Sequence, residues 1–191
     1  MGTEKVRAFV ALDLDPTSVR RVARVADRLR MSSGAPSATW TPPAKMHVTL
    51  KFLGEIPADA VAGVGKALGA MVDPKAPPPP VGFRLEAFPS TADAQVVVVE
   101  LDDPQATLKR LAERVEKIAS KHGVPVEARP FRPHVTLARL KRPYDARRWL
   151  RDDLATGAGE CAVRSLVLYR SDLGKGGSVY VPLAKFDYER A

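Results

Sequence analysis

Two tetrapeptides in this chain are identical, His47-Val48-Thr49-Leu50 and His134-Val135-Thr136-Leu137, and between them they hold two of its three histidines. With nine threonines in 191 residues, chance would put Thr two positions after two of three histidines with a probability of about 0.007. Identity at the Val and Leu positions makes coincidence rarer still. Strand side chains alternate between faces, so His and Thr share one face while Val and Leu share the other. Each motif roots itself in a core and presents an imidazole beside a hydroxyl.

Such a doubled set suits hydrolysis of a phosphodiester. One neutral imidazole can take a proton from attacking water while one imidazolium protonates the departing oxygen. An unperturbed pKa near 6.5 lets histidine serve as either. The hydroxyls of Thr49 and Thr136 can donate hydrogen bonds to the non-bridging phosphate oxygens, where charge develops. A lone His-x-Thr would more simply be a structural pair; the duplication is what points to chemistry. His122, just before Gly123 at a helix end and without a Thr partner, reads as structural.

Other chemistries find little support. Zinc sites place their ligands at close spacing, whereas this sequence offers isolated histidines and a distant Cys161, so no metal and no other cofactor is expected. Cys161 leads into an apolar strand, where a thiol is inert. Gly174-Lys175-Gly176-Gly177 lies between two strands and fits a hairpin turn better than a phosphate-cradling loop.

The elements that must carry the motifs follow from pattern. Short apolar runs predict strands at Val6–Leu12, His47–Leu53, Phe83–Phe88, Gln95–Leu101, His134–Leu140, Ser165–Arg170 and Ser178–Phe186. Asp15-Pro16 supplies an N-cap and a first helical proline, and Val22, Ala26 and Leu29 recur at helical spacing before Ser32-Ser33-Gly34 closes the helix. A polar loop then runs to Lys45. A second helix is expected over about 58–72 despite Gly63, Gly65 and Gly69. Pro77 to Pro80 must be an extended connector. Asp103-Pro104 repeats the helix start, ahead of a stripe including Leu108, Leu111 and Val115 that ends at His122-Gly123. The Asp-Pro pairs at 15 and 103 precede His47 and His134 by 32 and 31 residues, suggesting two related halves packed as lobes around a shared cleft.

Composition bounds the rest. Hydrophobic residues at 45% and charged residues at 27% describe an ordinary globular protein. No apolar run of about 18 residues supports a membrane span, and no signal peptide is expected ahead of the first strand. A single Cys161 fits a reducing compartment, so a cytoplasmic location is expected, and a monomer. The net charge of +8 favours a polyanionic partner, although Arg20, Arg21, Arg24, Arg28 and Arg30 read more plainly as a solvated helix face.

At its motifs the chain resembles the 2H phosphoesterase family, named for paired His-x-Thr motifs. The resemblance covers Arg7-Ala8-Phe9-Val10-Ala11-Leu12-Asp13, His47 through Gly54, Phe131 through Arg139, and Ser171-Asp172-Leu173 with Gly177-Ser178-Val179-Tyr180. It implies an α+β fold, one domain over 1–191 built of two pseudo-symmetric lobes with antiparallel sheets around a central cleft and helices outside. It implies hydrolysis of an RNA-terminal 2′,3′-cyclic phosphate to a 2′-phosphate, with His47 as proton donor and His134 as proton acceptor. Reversible 2′-5′ joining of tRNA halves is a secondary implication. A relative acting on a small cyclic nucleotide or an ADP-ribose cyclic phosphate, and a non-catalytic RNA-binding module, are the competing readings.

Four neighbouring residues are candidates for substrate contact. Lys51 has the parity of His47 and Thr49, so it reaches either phosphate or the sheet edge. Arg132 has the parity of His134. Arg139 matches the family pattern but has the opposite parity, and needs a bulge to reach the cleft. Phe9 either stacks on a base or packs in the core.

Overall fold

The computed structural model describes residues 4–150, 159–174 and 177–189. Among these lie eight strands, β1 (Lys5–Leu14), β2 (Ala38–Trp40), β3 (His47–Pro57), β4 (Phe83–Ser90), β5 (Asp93–Leu101), β6 (His134–Tyr144), β7 (Val163–Gly174) and β8 (Gly177–Asp187), and three α-helices, α1 (Pro16–Met31), α2 (Ala58–Met71) and α3 (Thr107–Lys121). All seven predicted strands are present, each longer than its apolar run. The short β2 and a 3-10 turn at Pro43–Lys45 occupy the stretch expected to be loop. Gly174 pairs with Gly177 as a hairpin requires; Lys175 and Gly176 lie outside the described residues. No helix among the described residues is long and apolar enough to cross a membrane.

Local chemistry sets the helix ends. The Asp15 carboxylate accepts from the backbone N–H of Thr17 (2.7 Å) and Ser18 (3.2 Å), capping α1 as expected. The second Asp-Pro start departs from the first: α3 begins at Thr107, behind Ala106 in the left-handed region at φ 52°. Asp103 still caps it, accepting from Leu108 and Lys109 at 3.2 and 2.9 Å. The glycines that weaken α2 as a helix permit close packing instead. A Cβ at Gly63 would lie 2.6 Å from the His122 ring, and one at Gly69 2.8 Å from Phe186. His122 itself hydrogen-bonds the Ile118 carbonyl through Nδ1 (2.9 Å) and is structural.

The strands form one antiparallel sheet in the order β4-β5-β6-β3-β1-β7-β8, with β2 beside β6. One pair, Val48 with Val135, joins β3 to β6. The sheet thus divides into a lobe of β1, β3, β7 and β8 and a lobe of β2, β4, β5 and β6. These lobes are not the two sequence halves. Strand β2, from the first half, pairs with β6 and α1 packs beside it, while the hairpin β7–β8 returns to β1. Helix α3 packs on β3 and α2 on β1 and β3. The helices cover the face bearing Val10, Leu12, Val48, Val135, Leu166 and Leu168, all at or near zero exposure. His47 and His134 lie on the other face.

Both motifs carry the same irregularity. Thr49 pairs with Ala11 and Lys51 with Val10, so Leu50 has no partner on β1. Thr136 pairs with Val98 and Ala138 with Val97, so Leu137 has none on β5. A bulge therefore follows each His by three residues and reverses the facing of the residues just after it, Lys51 and Phe52 on β3 and Ala138 and Arg139 on β6.

Candidate active site

The site is built at the β3–β6 junction. Continuing the antiparallel register one residue either side of Val48–Val135 sets His47 opposite Thr136 and Thr49 opposite His134. The two rings are close enough that a charge on His134 disfavours one on His47. Nε2 of His47 lies 3.2 Å from the Thr49 hydroxyl, and the ring also hydrogen-bonds the Lys45 carbonyl. Nδ1 of His134 lies 2.7 Å from the Arg132 carbonyl. Each imidazole is thus held by the carbonyl two residues upstream. That bond assigns the proton of the neutral ring to Nδ1 and leaves the Nε2 lone pair available.

The surroundings differ between lobes. Phe9 stacks on His47 with centroids 5.1 Å apart, Tyr180 meets it edge-on at 5.5 Å, and Tyr169 lies 6.2 Å away. The Tyr169 hydroxyl donates to both oxygens of Asp13, at 2.9 and 3.0 Å. Burial in this aromatic box lowers His47 to about 4. His134 has a charged neighbourhood. Glu100, its cross-strand partner, is 6% exposed and receives Arg132 bidentately at 2.8 and 2.8 Å. The Arg132 guanidinium lies 4.5 Å over Phe88, whose ring meets His134 edge-on at 5.0 Å. The guanidinium holds the Glu100 carboxyl below its ordinary value. Burial lowers His134 too, opposed by the Arg132 carbonyl and the Glu100 charge.

The bulges decide which neighbours reach this face. Lys51 does not: the bulge turns it to the helix side, where it is 6% exposed, ion-paired to Glu116 of α3 at 2.8 Å and bonded to the Pro125 carbonyl at 2.8 Å. Phe52 takes the place parity had given it and is 65% exposed. Arg139 gains the His134 face by the equivalent bulge, is exposed, and acts on the His134 charge. Phe9 is 2% exposed behind His47, so its face supports the imidazole and is closed to a base. Arg132 keeps its expected parity, yet its guanidinium is engaged by Glu100, with Glu86 at 3.8 Å, rather than offered to substrate. Sequence reasoning missed Glu100, Phe88 and Tyr169. Their one trace is a carboxylate ending the four-valine run at Val96–Val99.

Neither of two hollows, about 710 and 540 Å³, is lined by His47 or His134. Burial pushes the Cys161 thiol up to about 12, which keeps it protonated and unreactive at neutral pH. Among the described residues no three His, Cys, Asp or Glu side chains converge as a metal would need.

A family model described as LigT-like phosphoesterase matches residues 12–98 and again 99–180. This chain belongs to the LigT-like phosphoesterases. The two matches within this phosphoesterase each begin 35 residues before a motif histidine (12 to 47, 99 to 134), at Leu12 and Val99, which pair with Val48 and Val135. Curated relatives include the RNA 2′,3′-cyclic phosphodiesterase of Aeropyrum pernix, 31% identical over 173 residues covering 86% of this chain and 93% of the relative. That of Aquifex aeolicus is 28% identical over 191 residues, covering 95% and 96%. The crystal structure of E. coli LigT complexed with 3′-AMP matches with a TM-score of 0.73 at 23% identity, covering 98% of this chain and all of that one. It shares the fold.

Proposed function

We propose that this phosphoesterase opens the 2′,3′-cyclic phosphate at an RNA end to a 2′-phosphate, with His47 and His134 as its acid–base pair. The observation that carries this reading is the Val48–Val135 seam, which sets each imidazole across from the other motif's threonine. The activity for which the curated relatives are named supports the substrate class.

In this mechanism water attacks phosphorus opposite the 3′ oxygen. His134 takes the proton of that water at Nε2, the P–O3′ bond breaks, and His47 delivers a proton from Nε2 to the departing 3′ oxygen. The Thr49 and Thr136 hydroxyls donate to the non-bridging oxygens, and the Arg139 guanidinium offsets their charge. His47 is neutral in the free site and takes up its proton as the phosphate anion enters, since an adjacent anion favours the charged ring. No step requires a metal. Substituting the 5′-hydroxyl of a second RNA end, such as the other half of a cleaved tRNA, for water would give a 2′-5′ linkage by the same transfers. We take the whole chain as one monomeric domain acting in the cytoplasm.

The test is to incubate an oligoribonucleotide bearing a 2′,3′-cyclic phosphate and identify the hydroxyl that keeps the phosphate. The expected product carries a 2′-phosphate and a free 3′-hydroxyl. An intact cyclic end, or a 3′-phosphate, would overturn the assignment.

A further inference from the structure

We infer that the RNA strand leading to the reacting end leaves the site along the outer part of β6, over Lys141 and Arg142, rather than across the lobe that holds His47. This rests on the RNA-end reading above and extends it to the nucleotides that precede the cyclic phosphate.

The ten residues from Arg139 to Arg148 hold five Lys or Arg and one carboxylate, Asp145. That is a net +4, half the +8 of the entire chain. The run begins at the site itself, because the bulge after Leu137 turns Arg139 onto the His134 face. Beyond Arg139 the strand leaves its partner: Val96 pairs with Arg139 and Ala94 with Tyr144, so Leu140 to Pro143 bulge out opposite Gln95 alone. Leu140 turns inward against the core, which leaves Lys141 and Arg142 exposed at the crest. Strand β2 braces the bulge from the other side through Ala38–Leu140 and the Lys141 N–H to the Ser37 carbonyl (3.0 Å).

Among the described residues Arg139, Lys141 and Arg142 form no ion pair, so their charge faces outward uncompensated. On the opposite flank two cations are paired with carboxylates and a third is held by a carbonyl. Arg170 pairs with Asp172 at 3.0 Å, Lys185 with Asp187 at 3.2 Å, and Lys45 donates to the Ser178 carbonyl at 2.8 Å. A polyanion entering between the motifs therefore finds the longer run of unpaired cations on the β6 side, against Lys45 and exposed Arg7 on the other. Phosphate contacts of this kind position a strand without reading its sequence, which suits an enzyme defined by the chemistry of an end.

The test compares wild type with the double variant Lys141→Ala/Arg142→Ala on a 2′,3′-cyclic mononucleotide and on hexa- and decanucleotides with the same cyclic end. Wild-type kcat/KM should rise with length, and the variant should lose most of that rise while its mononucleotide kinetics change less than about twofold. The slope of log KM against log salt for the decanucleotide should shrink by about 1.4, at roughly 0.7 for each single-strand phosphate that the variant no longer neutralises. Lys109→Ala/Lys117→Ala, which removes the same charge from α3, should leave the length effect intact. Equal losses in the two double variants, or an unchanged length effect in the first, would overturn the proposal. If wild type opens no cyclic end at all, the activity reading fails. The track is then judged by anisotropy with a 3′-phosphorylated decanucleotide, where unchanged affinity in Lys141→Ala/Arg142→Ala rejects it as well.

Discussion

Val48 and Val135 face each other as the cross-strand pair that joins the two lobes, and neither side chain is exposed. One backbone register thereby fixes the relative position of four polar groups whose motifs lie 87 residues apart (47 to 134). Val135→Ala removes buried carbon at this seam and should cost about 2 kcal/mol in denaturant unfolding. Turnover should also fall well below the melting temperature, because the seam sets imidazole spacing. A variant as stable as wild type would contradict the seam's structural role.

Replacing either motif histidine removes one half of a concerted proton transfer. His47→Ala and His134→Ala should each lower kcat by at least about 10²-fold. The double variant should be scarcely worse than either single one, since the two groups act as a unit. Single-turnover rates on a cyclic-ended oligonucleotide measure this, and full activity in either single variant would refute the pairing.

The pH dependence follows from the two depressed histidines. One ring must be charged and the other neutral, so kcat/KM should be bell-shaped with its maximum on the acid side of 6.5, between there and about 4. Stability runs the other way. His47 takes a proton less readily folded than unfolded, so the unfolded chain binds more protons below pH 6.5 and stability falls as pH drops from 6.5 towards 4. The loss is up to about 3 kcal/mol, at 1.36 kcal/mol per pKa unit. Urea melts of wild type and His47→Asn across pH 4–7 separate this share, and parallel curves would show that His47 is not the group responsible.

Lys51 sits on the helix side of the sheet, and its replacement should behave accordingly. Lys51→Met leaves Glu116, 25% exposed, without its counter-ion and should cost about 2 kcal/mol, less than a fully buried pair would. Adding Glu116→Gln should recover part of it, and KM for a cyclic nucleotide should hold steady throughout. A tenfold rise in KM at unchanged stability would return Lys51 to the substrate face.

Much of this site is legible in the order of residues alone. The duplicated His-x-Thr pattern identifies the four polar groups that the structure brings together, and alternation correctly places Val48, Leu50, Val135 and Leu137 in the core. Alternation then fails at one place in each motif, for one physical reason. A bulge adds a residue to one strand only, so Lys51 and Phe52 exchange faces, as do Ala138 and Arg139. The adjacent apolar pair Leu137-Ala138 is the visible sign. Lobe membership is hidden more deeply, because strand pairing between distant segments leaves no local periodicity. The aromatic box around His47 is obscured for the same cause: Phe9, Tyr169 and Tyr180 meet only through β1–β7 and β7–β8 pairing.

That box has a bearing on synthesis. Its walls come from both sides of the two motifs in chain order, Phe9 before His47 and Tyr169 and Tyr180 after His134. A nascent chain still on the ribosome can have translated both histidines and yet lack the rings that surround the first of them. Competence should therefore switch on only once the β7–β8 hairpin is made, and an aborted product ending before β7 should open no cyclic phosphate.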